Sequence, residues 1–181
     1  YFKEGSVNVE TPAVPGATDQ VDVNVSVEEK PTGSIMMGAG FSSSEGIMMS
    51  GSVSQTNWLG TGKTLSTQVN SGKINSVYAV SYTDPYYTTD GISRGFDLYK
   101  RKVNANNLNT LSGYETDTIG AGVRFGVPLN EYDNITYGLA VDTTSLTVDE
   151  TTAPIQYVNY VHEFGGNNTT LRADLGWAHD T

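Results

Sequence analysis

The feature that most restricts this chain is a two-residue alternation that recurs, strand after turn, from Thr32 onward. Between Thr118 and Val127, the residues Ile119, Ala121, Val123, Phe125 and Val127 take one side, and Thr118, Gly120, Gly122, Arg124 and Gly126 take the other. A helix, with its period of about 3.6 residues, would scatter these apolar side chains, whereas a strand gathers them on one face. The same division separates Ile135, Tyr137, Leu139 and Val141 from Thr136, Gly138, Ala140 and Asp142, and again Leu171, Ala173, Leu175 and Trp177 from Arg172, Asp174, Gly176 and Ala178. About eight such strands are expected, each near ten residues long, in an antiparallel meander or up-and-down barrel. Their expected ranges are 33–41, 47–55, 63–70, 77–83, 92–103, 118–127, 135–142 and 171–178, with a long loop over 146–168.

Composition agrees with an all-β chain. It contains 20 Gly and 11 Tyr among 181 residues, a balance that suits short strands and turns better than a helical bundle. The formal net charge of −10 leaves no cationic surface to neutralise phosphates, so nucleic acid is not expected as a partner. Without cysteine there are no disulfides, thiolate metal sites or thiol nucleophiles. No run approaches the ~20 apolar residues of a membrane-spanning helix, but a spanning barrel strand needs only ~9–11 residues that are apolar at alternate positions. The chain opens at Tyr1 with no basic and apolar leader and reads as an excised segment.

Before the alternating region, two short strands are expected at 6–10 and 21–28, separated by Thr11-Pro12-Ala13-Val14-Pro15-Gly16. Val21, Val23, Val25 and Val27 alternate with Asp22, Asn24, Ser26 and Glu28, the pattern of a half-buried strand with one wet face. Glu28-Glu29-Lys30-Pro31 marks a border, giving a segment 1–31 and a second segment 32–181. The last strand has no partner after it, so either the sheet closes on itself or the natural chain continues past Thr181, because a spanning sheet cannot leave amides unsatisfied in hydrocarbon.

The turns supply an orientation. Outer-membrane barrels have short periplasmic turns and longer outer loops. The connections after the second, fourth and sixth strands carry Gly, Pro, Asp and aromatics, and those after the fifth and seventh are long and polar. If residues 1–31 are periplasmic, the first strand runs outward and the even-numbered connections are periplasmic. Trp58, Tyr82, Tyr86, Tyr87 and Tyr132 gather at those strand ends, where rings with a polar edge would mark the membrane interface. Tyrosine-rich strand ends also occur in soluble β proteins. The face with Gly120, Gly122, Gly126, Gly138, Asp142 and Arg124 separates the two readings, since it would fill a sandwich core poorly but suits a wet lumen.

Several long runs carry a resemblance. Val14-Pro15-Gly16, Gln20-Val21-Asp22-Val23, Val27-Glu28-Glu29 and Thr32-Gly33-Ser34 resemble the passage from the last POTRA domain into the first barrel strand of the BamA family of outer-membrane assembly factors. Gln55-Thr56-Asn57-Trp58-Leu59-Gly60-Thr61-Gly62, the run from Tyr82 through Ser93, and Val127-Pro128-Leu129-Asn130-Glu131-Tyr132 resemble that family's periplasmic turns. The resemblance covers nearly the whole chain in order. It implies the first eight or so strands of a sixteen-stranded transmembrane barrel in the Gram-negative outer membrane, preceded by the end of a POTRA domain in the periplasm. It also implies a non-enzymatic function without cofactor, the folding and insertion of other barrel proteins, with unfolded clients, lipoproteins of the BAM complex and outer-membrane lipid as partners. The family's Arg-Gly-Phe loop belongs to the later half of the barrel, so nothing about it carries over.

In that family the first strand pairs weakly with the last and forms a lateral seam. Here the corresponding strand is Gly33-Ser34-Ile35-Met36-Met37-Gly38-Ala39-Gly40-Phe41. Its glycines remove packing and raise the entropy lost on ordering, and an open edge is what an incoming strand needs for β-augmentation. The expectation is that this strand templates the client; the competing account is that its glycines only relieve barrel curvature.

Catalytic and metal sites are not expected. The two histidines, His162 and His179, stand beside Glu163 and Asp180 in sequence, with no serine in a nucleophile elbow. Asp142, Asp149 and Glu150 lack the spaced acidic loop of a calcium site and read as solvated loop charges. Two other functions remain open: a two-partner secretion or related POTRA-barrel translocation pore, and a passive porin or adhesin barrel, against which the strand pair before Pro31 argues.

Overall fold

A computed structural model describes residues 2–16, 19–107 and 113–180, with the backbone alone at Asn107. Residues 108–112 of the expected polar loop, together with residues 1, 17, 18 and 181, lie outside the described residues.

The chain divides into two units, Tyr1–Gly33 and Ser34–Thr181. The first holds a two-stranded antiparallel sheet of β1 (Asn8–Glu10) and β2 (Asn24–Ser26), with Val9 opposite Val25. Isolated bridges join Phe2 to Glu29 and Ala13 to Val21, and Lys3 pairs with Glu28. Both strands are shorter than expected. The valine face is exposed rather than half-buried, with Val23 62 % accessible, because no described residue of this unit covers it.

The second unit is an eight-stranded antiparallel sheet in which every strand pairs with its neighbours in sequence. Its strands are β3 (Gly33–Ser42), β4 (Gly46–Gln55), β5 (Thr64–Ser71), β6 (Asn75–Asp84), β7 (Ser93–Asn104), β8 (Tyr114–Pro128), β9 (Asp133–Val148) and β10 (Asn167–His179). β3 and β10 are its two edges. The eight expected strands are all present; β8 and β9 run several residues further than their apolar alternation, into Thr-rich stretches that pair with each other from Tyr114↔Val148 to Pro128↔Asn134.

The long loop expected over 146–168 contains a helix, α1 (Ile155–Phe164), which the strand-based reading missed. Its signal is present in the sequence. Pro154 precedes it, Ile155, Val158, Val161 and Phe164 recur every three residues, and Gly165 ends it at φ 81°, a conformation glycine adopts without a Cβ penalty.

No described apolar side chain of the sheet forms a dry core. The buried apolar residues are Ile74, Ala105, Ala140 and Val158, while Leu139, Leu171, Leu175 and Trp177 are more than half exposed. A single-layer sheet cannot bury its own apolar face, so that face must meet a nonaqueous medium.

Candidate functional site

Register assigns every side chain of the wall to one of two faces, because directly opposed residues on neighbouring strands point the same way. On the outer face Leu65, Tyr82, Phe96, Val123, Leu139 and Ala173 form one continuous row across six strands. Thr67, Val80, Leu98, Ala121, Val141 and Leu171 form the next. On β8 the outward residues of this band run from Ile119 to Val127, a strand segment of nine residues, within the ~9–11 that a tilted spanning strand needs. The band has charged ends. On one side Lys100 pairs with Asp117 at 3.0 Å and Lys102 with Glu115 at 2.7 Å. On the other, the Arg94 guanidinium lies 3.7 Å from the Tyr87 ring centroid and 5.2 Å from that of Phe96, so its stem follows the apolar surface while its charge meets the ring faces.

The inner face is polar and is built around glycines. Arg124 pairs with Asp97 at 3.3 Å and donates to Ser81 Oγ at 2.9 Å and Thr83 Oγ1 at 3.3 Å, crossing three strands. It can lie flat because Gly95 sits beneath it. Further along, the Tyr99 hydroxyl donates to Asp142, whose other carboxylate oxygen accepts from Arg172 at 3.1 Å, and Arg172 also donates to Asp174 at 3.1 Å. A Cβ on Gly120 would overlap both the Tyr99 ring and the Asp142 carboxylate. Asp142 is therefore part of a wall network on β9 rather than a loop charge.

The interface aromatics expected from sequence share one rim. Trp58 and the Asn57–Gly62 turn follow β4, Tyr82 lies two residues before the end of β6, Tyr86 and Tyr87 follow it, and Tyr132 precedes β9. The first turn is shaped by Leu59 at φ 54°, Gly60 and Gly62 in the left-handed region, and by Asn57 Oδ1, which accepts from the Gly62 amide at 2.7 Å. Lys63 pairs with the buried Asp84 at 3.3 Å and ties this turn to the next. Trp177 and His179 of β10 join the rim: both donate to Asp133, and the His179 ring lies 6.4 Å from Tyr132. Sequence reading missed these two, although each occupies an alternating outer-face position at a strand end.

The opposite rim is stitched by Glu45, in the turn between β3 and β4. Its Oε2 accepts from the amides of Ile74 at 2.8 Å and Asn75 at 3.3 Å, and the Ile74 carbonyl accepts from Asn104 N–H at 2.8 Å. Three turns are thereby linked. The Ile74 amide, foremost among these donors, holds the Glu45 carboxyl below its ordinary pKa.

The nine residues of the expected seam strand all fall on β3, which has a neighbour on one side only, β4. The strand is exposed from Gly33 to Phe41. A Cβ on Gly38 would stand 2.7 Å from Ser50 Oγ, and one on Gly40 3.5 Å from Met48 Cε, so these glycines accommodate β4 side chains that reach across the inner face.

His162 contacts Glu150 at 3.0 Å and His179 contacts Asp133 at 2.9 Å, carboxylates other than their sequence neighbours Glu163 and Asp180. Among the described residues, no group of three or more His, Asp or Glu side chains is placed to hold a metal ion.

An alternating wall, apolar outside and polar inside, with a charged or aromatic edge at each end, defines a segment of an outer-membrane β-barrel. The Omp85 superfamily domain matches residues 57–181, and the chain belongs to that superfamily. It is similar to the outer membrane protein assembly factor BamA of Neisseria meningitidis serogroup B, with 38% identity over 176 residues, 95% of this chain and 22% of that protein. BamA of Nitratidesulfovibrio vulgaris is 31% identical over 184 residues, covering 100% of this chain and 21% of its own length. The crystal structure of BamA from Haemophilus ducreyi lacking POTRA domains 1-3 superposes with a TM-score of 0.69 at 27% identity, over 98% of this chain and 35% of that one. The chain thus spans about a fifth of the curated relatives it matches.

Proposed function

We propose that this chain is part of a factor that folds and inserts β-barrel proteins into the Gram-negative outer membrane, with unfolded barrel proteins as clients and BAM lipoproteins and outer-membrane lipid as partners. Residues 1–31 are read as the periplasmic end of the last POTRA domain and 32–181 as the first half of the barrel. The rim carrying Trp58, Tyr82, Tyr86, Tyr87 and Tyr132 is read as the periplasmic membrane interface. The observation that carries the reading is the continuous match to BamA proteins, joined to a wall whose first strand is a glycine-rich sheet edge.

The mechanism needs no covalent chemistry. Each amide and carbonyl along an unpaired edge costs several kcal/mol in hydrocarbon, roughly the penalty an unfolded client strand also faces. Pairing the client with Gly33–Phe41 removes both penalties at once, and the strand can later be released because its glycines contribute little side-chain packing to the new pair. The lumen network of Arg124, Asp97, Tyr99, Asp142 and Arg172 keeps β7 to β10 rigid while the β3 edge exchanges partners.

Cysteines placed singly along residues 33–41 of the full-length protein test this. Expected is cross-linking to a folding client at alternate positions, with depletion of the protein lowering many unrelated barrels. If clients are trapped only at other sites, templating by this strand is wrong; if depletion affects a single secreted cargo, a two-partner secretion pore is the better account.

A further inference from the structure

All four methionines of the chain lie on the hairpin at the sheet's first edge, in two parallel phrases: Ile35-Met36-Met37-Gly38 on β3 and Ile47-Met48-Met49-Ser50 on β4. The register assigns them in pairs. Met49 lies opposite Ser71 in the outer row that continues through Ser76, whereas Ser50 lies opposite Asn70 on the inner face. Gly38 and Gly40 meet Ser50 and Met48 on that inner face. Met36 and Met48 therefore face the lumen, and Met37 and Met49 face outward with Ile35, Ala39 and Phe41.

These side chains are available. Met37 is 87% exposed, and Met36 and Met49 are about as exposed as Ile35. Met48 extends until its methyl lies over Gly40, so on the inner face the edge strand is partly roofed by a flexible thioether from the strand behind it. On the outer face Met37, Met49 and Val69 border a shallow concavity of about 570 Å³ over Gly51, a position with open space around it. The permanently paired strands differ. Around β8 and β9 the outer rows are filled by Val123, Leu139, Val141 and the stacked Phe125–Tyr137 pair, whose branched or planar shapes suit one fixed neighbour.

Methionine is unbranched, polarizable and able to fill irregular gaps, and surfaces that accept unlike partners use it for that reason. A strand added beside β3 would place its side chains about 4.5–5.5 Å from those of β3, alternately on the two faces. We propose that Met36, Met37, Met48 and Met49 form an adaptable lining on both faces of this edge, and that its occupant is the extended, alternately apolar segment of an unfolded barrel protein whose side chains vary from client to client. The proposal rests on reading β3 as the templating seam. Backbone pairing at this edge is indifferent to sequence, and the thioethers extend that indifference to the side chains.

The test compares the full-length protein, with its partner lipoproteins in proteoliposomes, with the variant M36L/M37L/M48L/M49L, which keeps apolar volume but removes flexibility. Insertion rates are measured for a panel of barrel clients with unlike terminal strands, alongside cross-linking from Ser34→Cys and thermal unfolding of the barrel. Expected is that cross-links persist and the ratio of fastest to slowest client widens about tenfold, corresponding to about 1.4 kcal/mol of discrimination. An unchanged ratio with cross-links intact overturns the lining while leaving the seam in place. A change in barrel unfolding without a change in the ratio also overturns it and assigns the methionines to the barrel's own closing strand. Loss of cross-links in the parent protein overturns the seam reading itself. Should the fourfold variant not fold, M37L/M49L and M36L/M48L apply the same criterion to each face.

Discussion

Arg124 lies across Gly95: a Cβ at position 95 would stand 2.7 Å from its Nε and 3.2 Å from its Cγ. The glycine is a space for the arginine, which reaches from β8 to Asp97 on the glycine's own strand, β7, and to Ser81 and Thr83 on β6. The substitution Gly95→Val should push Arg124 off the wall and cost about 1–3 kcal/mol, the usual range for overpacking. In the full-length protein this is read as a lower unfolding temperature, with Gly95→Val in an Arg124→Ala background recovering most of the loss.

The two faces should differ sharply in their tolerance of charge. Leu139→Arg, in the middle of the outer band, is expected to destabilise the bilayer-embedded protein by about 2–4 kcal/mol. Gln68→Arg, on the inner face of β5, should stay within about 0.5 kcal/mol. Equilibrium unfolding from lipid vesicles measures both, and equal costs would mean that the assigned faces do not separate lipid from water.

Within the lumen network, the half-buried pair should matter more than the exposed one. A double-mutant cycle with Tyr99→Phe and Asp142→Asn is expected to show a coupling of about 1 kcal/mol. The pair Arg172 and Asp174, both well exposed, should couple by no more than about 0.5 kcal/mol, because water screens them.

The Glu45 latch should depend on pH. Its carboxyl is held below the ordinary value by the amides it accepts from, so the stabilisation is present above the unfolded-state pKa and is lost as pH falls through the lowered folded-state value. Protection factors at Ile74 and Asn75, which divide out the intrinsic pH dependence of amide exchange, should fall in that acidic window. Glu45→Gln should remove the pH dependence of those factors and leave them uniformly lower; a profile identical to the parent's would show that Glu45 does not hold the turn.

Alternation was enough to give the strands and their order of faces, because a period of two is a local property written into each segment; the membrane reading also needed the turn lengths and the glycine-rich polar face around Arg124 and Asp142. The five aromatics expected at strand ends fall on one rim of the sheet, and the strand that the resemblance assigned to the seam is the sheet edge β3. Helix α1 was legible in principle, from Pro154 and the spacing of Ile155, Val158, Val161 and Phe164, but the surrounding Thr-rich strands hid it. The half-buried valine face expected at 21–27 depended on what covers it, which no alternation specifies.

Register is what the tertiary structure decided. Tyr99, Asp142 and Arg172 are 30 or more residues apart along parts of the chain, and only the pairing of β7 through β10 brings them onto one patch of wall. The same holds for Glu45 with Ile74, for Asp133 with Trp177, and for the distribution of the four methionines over the two faces of one hairpin. Local sequence sets which side a residue faces, since that follows from backbone geometry; which residues it meets there depends on hydrogen-bond ladders closed across long loops, and those form only when the whole sheet does.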